Sequence, residues 1–364
     1  MSGGISGNYG LPPSSYGLLG ELIQGASATQ TQLDTLAEQA SSGNVSQTYS
    51  GLGANALTAL DLNAEIAQNN TYTANITSAN TNIGITQTVM NQLSSIASGI
   101  SSQLDNITGT SISTLATQAQ NDLQQVANLL DTQSGSNYIF AGQDTSNPPV
   151  PDPGNILSSP FFTKIQTAVG NLATNGAAAT ISTTLGIASS NVLPSAGGTS
   201  PFSAALSPPP ANFQPSIEVG PGQSTSVGLL ASANTYVTST GPYTTGSYTR
   251  DLMHALAVIG SLTPASANAT GFTGLVNDVH TSLTGAISAM ANEEGGLGAT
   301  QDSLSAASTT IGNVNTALQT QLSSVQDVNM ASTLSNLTMV QTQLQASFKL
   351  IASVQSLSLA NYVQ

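Results

Sequence analysis

Residues 290–328 read MANEEGGLGATQDSLSAASTTIGNVNTALQTQLSSVQDV. Met290, Leu297, Leu304, Ile311, Leu318 and Val325 recur at intervals of seven. A second column, Val279, Ala286, Ala307, Val314 and Val328, keeps the same register, with Glu293, Thr300 and Gln321 as its polar exceptions. Beyond it the apolar spacing continues as Met330, Leu334, Leu337, Val340, Leu344, Phe348, Ile351, Val354 and Leu357. Intervals of three and four place these side chains on one helical stripe, close to the 3.5-residue period of a coiled coil. Such a stripe needs a partner helix.

The best partner lies near the other chain end. Leu19, Leu22, Ala26, Thr29, Leu33, Leu36 and Ala40 alternate the same spacings without a break, and Ser42-Gly43-Asn44 closes that helix. The spacing predicts packing of residues 19–40 on 330–360. Residues 1–16, rich in Gly, Ser and Pro, are expected to be a disordered leader. A second helical region starts near Ala54, with Leu57, Leu60, Ala64 and Ala67 leading in and Ile76, Ile83, Val89, Leu93, Ile96, Ile100, Leu104 and Ile107 following. A third carries Ile112, Leu115, Ala119, Leu123, Val126 and Leu130.

From Gly142 to Tyr248 Pro and Gly cluster, as in Pro208-Pro209-Pro210 and Gly220-Pro221-Gly222, and mark turns. A short helix over 161–173 and a hairpin of 216–219 with 224–227 are expected there. Helical signal resumes at Arg250 with Leu252, Leu256, Ile259 and Leu262. The chain therefore reads as mainly α: a long helical bundle formed by both ends, with an inserted outer domain of short strands, helices and loops. The expected division is 1–49 with 328–364 as a terminal coiled coil, 50–142 with 250–327 as a core bundle, and 143–249 as the insert.

Composition narrows function. Charged residues make up 5% of the 364, the cations are Lys164, Arg250 and Lys349, and the net charge is -14. Phosphate binding rests on Lys and Arg, so nucleic acid is excluded as a partner. Membrane insertion is not expected either, because no uncharged apolar run approaches the length of a span. With no cysteine, disulfides and thiolate metal sites are ruled out. The start lacks the basic and apolar regions of a cleaved signal peptide, so export is expected by a route that reads none.

Candidate chemistry is sparse. Gly51-Leu52-Gly53-Ala54-Asn55-Ala56 fits a loose Gly-x-Gly-x-x-Ala pattern, but no strand precedes it, so a loop between helices is the better reading. His254 and His280 are expected as solvated or partly packed helix residues, and no Gly-x-Ser-x-Gly elbow accompanies them. Glu293-Glu294 is expected on a solvated face. No catalytic, cofactor-binding or metal-binding residues are assigned. The aromatics Phe202, Phe213, Tyr243 and Tyr248 would be the cue for a surface or glycan-binding insert, with local packing as their other explanation.

Together these segments resemble the bacterial flagellin family, closest to its hook-associated protein 3 branch, the hook–filament junction subunit. Leu297-Gly298-Ala299-Thr300-Gln301 is similar to the opening of the family's long core helix, and Val325-Gln326-Asp327-Val328-Asn329-Met330-Ala331 to the link before its terminal helix. Gln341-Thr342-Gln343-Leu344-Gln345-Ala346-Ser347, Leu357-Ser358-Leu359 and Tyr362 match that terminal helix. Asn137-Tyr138-Ile139-Phe140-Ala141-Gly142 and Ser216-Ile217-Glu218-Val219-Gly220-Pro221-Gly222-Gln223 resemble segments of the junction branch. The resemblance departs at Ser41-Ser42-Gly43-Asn44-Val45, which lacks the family's basic residue and Asp-Asp-Pro, and nearly every family Arg and Lys is missing. It implies a non-enzymatic, extracellular structural subunit of the flagellum that self-assembles. Its implied partners are other hook-associated proteins, flagellin and an export chaperone. A divergent filament flagellin is the alternative. Assembly would run through Leu19, Leu22, Leu33, Leu36, Leu334, Leu337, Val340, Leu344, Phe348, Ile351, Val354 and Leu357.

Overall fold

The computed structural model describes residues 14–107 and 111–360. The fold is mainly α with a few short strands, as the periodicities predict. Helices α1 (Ser14–Ser42), α2 (Ala56–Leu104) and α3 (Ile112–Leu130) come first. A two-residue hairpin follows, β1 (Gln133–Ser134) with β2 (Asn137–Tyr138). Then come α4 (Pro160–Gly170), α5 (Leu172–Ala188), and the hairpin β3 (Ser216–Gly220) with β4 (Gln223–Ser226). Helices α6 (Tyr248–Gly260), α7 (Phe272–Gln326) and α8 (Met330–Ala360) complete the chain. The expected leader lies outside the described residues except for its last three, which open α1.

Two compact units emerge: residues 1–69 with 313–364, and residues 70–312. The second holds one continuous apolar core, running from Tyr72 to Ile311. On α2 the core face is Tyr72, Ile76, Ala79, Ile83, Met90, Leu93, Ala97, Ile100 and Leu104; on α3 every residue of the expected stripe is buried. Helix α6 sits at the centre of this unit, against α3, α4 and α5, and all thirteen of its residues are buried. Its polar residues Arg250, Asp251 and His254 are buried with the apolar ones, so the apolar pattern marks only one side of a helix that is covered on every side.

In helices this rich in Ser and Thr many hydroxyls are satisfied on their own backbone. Thr77, Thr81, Thr86, Thr88, Ser95 and Ser102 on α2 each donate to the carbonyl four residues earlier. This bonding satisfies the side chain without a charge. Among the described residues the one contact of a cationic-type side chain with a carboxylate is that of His280 Nε2 with Asp105 Oδ1, at 3.3 Å.

The expected hairpin is present. The expected helix over 161–173 divides: Ser159 caps α4 by accepting from the Phe162 amide, and the chain turns at Asn171 into α5. The composition of α5, Thr, Ala and Gly with a kink at Gly176 (φ 74°), hides its helical period.

Candidate functional site

In the unit built from the chain ends, α1 packs against α8. Helix α1 closes at Gly43, whose positive φ of 76° suits a residue without Cβ, and its amide donates to Gln39 O at 2.9 Å. There the two chain ends clasp. Val328 N donates to Gly43 O at 2.9 Å, Val45 N donates to Gln326 O at 2.7 Å, and Asn44 bridges Asp327 antiparallel. The link read at Val325–Ala331 thus holds a backbone clasp between the end of α1 and the start of α8, and the two helices leave it side by side.

The inward positions of α1 are Leu19, Leu22, Ala26, Thr29, Leu33, Leu36 and Ala40, joined by Gln39 near the clasp. Those of α8 are Thr333, Leu337, Val340, Leu344, Ser347, Ile351 and Val354. Both ladders step by three and four. Ala26, Thr333, Val340 and Leu344 are the fully buried members. Of the proposed assembly residues, Leu19, Leu22, Leu33, Leu36, Leu337, Val340, Leu344, Ile351 and Val354 fall in this seam. Leu334 and Phe348 do not: they are 50% and 55% exposed. The side chain of Leu357 lies outside the described residues, as does Tyr362.

The apolar stripe on α8 is therefore wider than its seam. Small polar Thr333 and Ser347 turn inward, and Leu334 and Phe348 beside them turn out. Met330, Met339 and Leu350 are exposed as well. Helix α2 shows the same division. The residues expected to lead it in, Leu57, Leu60, Ala64 and Ala67, face solvent, and Ala59 and Leu62 are buried instead. Both faces of that turn are apolar, so spacing alone does not choose between them. Ten of the twelve exposed large apolar side chains among the described residues belong to this smaller unit.

Sites outside this unit require three corrections. Glu293 is fully buried, not solvated. Its carboxylate accepts from the amides of Thr235 at 2.7 Å, Tyr236 at 3.0 Å and Val237 at 3.2 Å. Burial pushes its carboxyl up, and the three amides pull it back down. One turn on, Gly296 lies under the Tyr236 ring, where an added Cβ would come within 2.4 Å of it. A further turn on, Thr300 meets the Tyr236 hydroxyl at 3.1 Å. Two polar exceptions of the heptad and one glycine are thus the seat of a loop, not of a helix.

His254 is also fully buried, with Nε2 2.9 Å from Thr184 Oγ1. No acid and nucleophile join it, and among the described residues no group of His, Asp and Glu fits a metal. Phe202 and Tyr248, named as the cue for a surface or glycan-binding insert, belong to the core, and Phe213 and Tyr243 pack partly against it, as their packing explanation has it. Gly51 to Asn55 forms a 3-10 turn entering α2.

Burial lowers the His254 pKa to about 4. Between pH 6.5 and 4 the unfolded chain binds a proton there that the folded chain refuses, so this residue makes stability fall on acidification. Asp131, raised to about 6 by burial, acts with the opposite sign: the folded chain holds the extra proton, and stability rises as pH falls from 6 towards 4. His254→Leu is expected to remove roughly 3 kcal/mol of acid-induced loss. Denaturant melts at pH 7, 5.5 and 4 test this. The variant should lose less stability than the parent on acidification, and parallel curves would refute the assignment.

Residues 281–363 match the family model described as the bacterial flagellin C-terminal helical region. No curated protein matches the chain. The match covers most of α7 and all of α8, the elements that carry the heptads. It supports the bacterial flagellin family, whose members are structural and self-assemble into helical flagellar structures outside the cell. Among the described residues no helix is long and apolar enough to cross a membrane.

Proposed function

We propose that this chain is a structural subunit acting at the hook–filament junction of a bacterial flagellum, assembling through its terminal helices. The observation that carries the assembly role is the concentration of exposed apolar side chains in the unit formed by the two chain ends. In an isolated chain these side chains face water. In a tube of subunits they would be covered by neighbouring copies, and burial of each Leu or Phe would stabilise the contact by about 1.5–3 kcal/mol. Few charges are present to fix register, so shape and amide contacts would have to do so.

The proposal includes a nested division: an inner coiled coil of 1–49 with 328–364, a core of 50–142 with 250–327, and an outward insert of 143–249. It also includes export through the flagellum's own channel, with a chaperone, and contacts to flagellin and other hook-associated proteins. The junction assignment rests on the likeness of residues 137–142 and 216–223 to that branch. In the fold these two segments line one cavity, to which Asn137, Tyr138 and Ile139 contribute from the first and Ile217 from the second. Immunogold labelling of flagella is the test. Label at a single point near the cell is expected. Label along the whole filament would overturn the junction role in favour of a filament flagellin.

A further inference from the structure

Arg250 is the only arginine of the chain. It is 5% exposed and lines a cleft of about 320 Å³ in the unit of residues 70–312. Four of its five N–H groups are held by neutral acceptors. Nε donates to Ser232 O at 2.9 Å, Nη1 to Ala188 O at 3.0 Å and Ser190 O at 3.1 Å, and Nη2 to Asn191 Oδ1 at 2.8 Å. The guanidinium also lies 4.9 Å from the Phe202 ring centre. These bonds tie down the C-terminal end of α5, but none brings a negative charge. Neighbouring Asp251 is occupied elsewhere, by Thr244 and Thr245. In a chain of net charge -14, this cation is buried without an acid.

A buried charge without a counter-charge is costly unless something supplies one. The supply point is at Nη2. Its partner Asn191 is exposed and lines the same cleft, and the second Nη2 hydrogen has no acceptor among those bonds. An arriving carboxylate would meet that free N–H and replace a neutral amide acceptor by a charged one, giving a shorter and stronger bond. On the rest of the wall Thr238 and Ser247 keep hydroxyl hydrogens for a ligand hydroxyl, while Ser232 is held by Leu206 O and Asn234 by Ser239 Oγ and Tyr248 N. We infer that this cleft binds a small hydroxylated carboxylate, with Arg250 as its anchor. The site is independent of the assembly role proposed above.

The test uses the full-length monomer and three probes: lactate, galacturonate, and the neutral methyl ester of galacturonate. Ligand-observed NMR should show at least one of the two acids bound and the ester bound at least about tenfold more weakly, a difference of about 1.4 kcal/mol. Binding of lactate alone points to an open-chain hydroxy acid, and binding of galacturonate to an acidic sugar. Arg250→Met should abolish binding. Because that variant risks the fold, Asn191→Asp provides a second arm: the new carboxylate occupies Nη2 from within, so the melting temperature should rise and acid binding should weaken at least tenfold. Asn191→Ala, which frees Nη2, should keep binding. Failure of both acids to bind, equal binding of the ester, or unchanged affinity in Asn191→Asp would each overturn the inference.

Discussion

The full-length chain carrying Leu334→Asp and Phe348→Asp together is expected to fold as the parent does and to fail to assemble. Both side chains point away from the α1–α8 seam and are half exposed or more. Placing Asp there leaves no buried charge in the monomer, so its helical content and melting temperature should change little. In an assembly the same positions would be covered. Two large apolar side chains would be lost, worth about 1.5–3 kcal/mol each, and two carboxylates would be buried without partners. A loss of roughly 4–6 kcal/mol weakens association by about a thousandfold or more. Sedimentation or electron microscopy of polymerised protein reads the result directly. The contrast is Val340→Asp, which strikes a seam position 2% exposed and should unpair α8 even in the monomer. If the outward double variant still assembles, the exposed stripe is not the subunit contact.

Much of this was legible because helical period is local. The α1 ladder, the α3 stripe and Leu337, Val340, Leu344, Ile351 and Val354 of α8 follow from spacing of three and four, whereas Phe348 of the same stripe turns out and Ser347 turns in. What spacing does not supply is the choice between two apolar faces. On α2 the pair Leu57 and Leu60 fits the pattern as well as Ala59 and Leu62, yet the smaller and inner pair is the buried one. On α7 the second column moves by one residue past Ile311. Val314 turns outward, and Asn315 and Leu322 take the half-buried positions where the unbroken register would put Val314 and Gln321. The unit boundary falls at that same point. A long-range partner decides such shifts, and no window of residues contains it.

The polar exceptions were the other illegible feature. Within a heptad, an acid on the inward column reads as a flaw that solvent must reach. Glu293 shows the alternative: three consecutive amides, from a loop more than fifty residues earlier in the chain, occupy the place a partner helix would take. Burial of Arg250, Asp251 and His254 on α6 has the same origin, since each is held by backbone, amide or hydroxyl groups from elsewhere in the chain.

Glu293 therefore gives a prediction that runs against the pattern. By periodicity Glu293→Leu repairs the column and should stabilise. By structure it deletes the acceptor of three partly buried amides, each of which then carries a desolvation cost of up to about 1–3 kcal/mol. The expected loss is 3 kcal/mol or more, roughly two to three times that of Glu293→Gln. Gln keeps one carbonyl oxygen for the amides and gives up only the charge. It also removes a carboxyl whose pKa is raised, so part of what the parent spends on ionising that buried group above its folded pKa is recovered. Denaturant unfolding at pH 7 separates the possibilities by order alone: parent and Gln close together, Leu well below. The loop should report the same ranking, with hydrogen exchange at Thr235, Tyr236 and Val237 fastest in the Leu variant. A Leu variant as stable as the parent would mean that the amides find other acceptors, and that the carboxylate is an occupant of the seat rather than its cause.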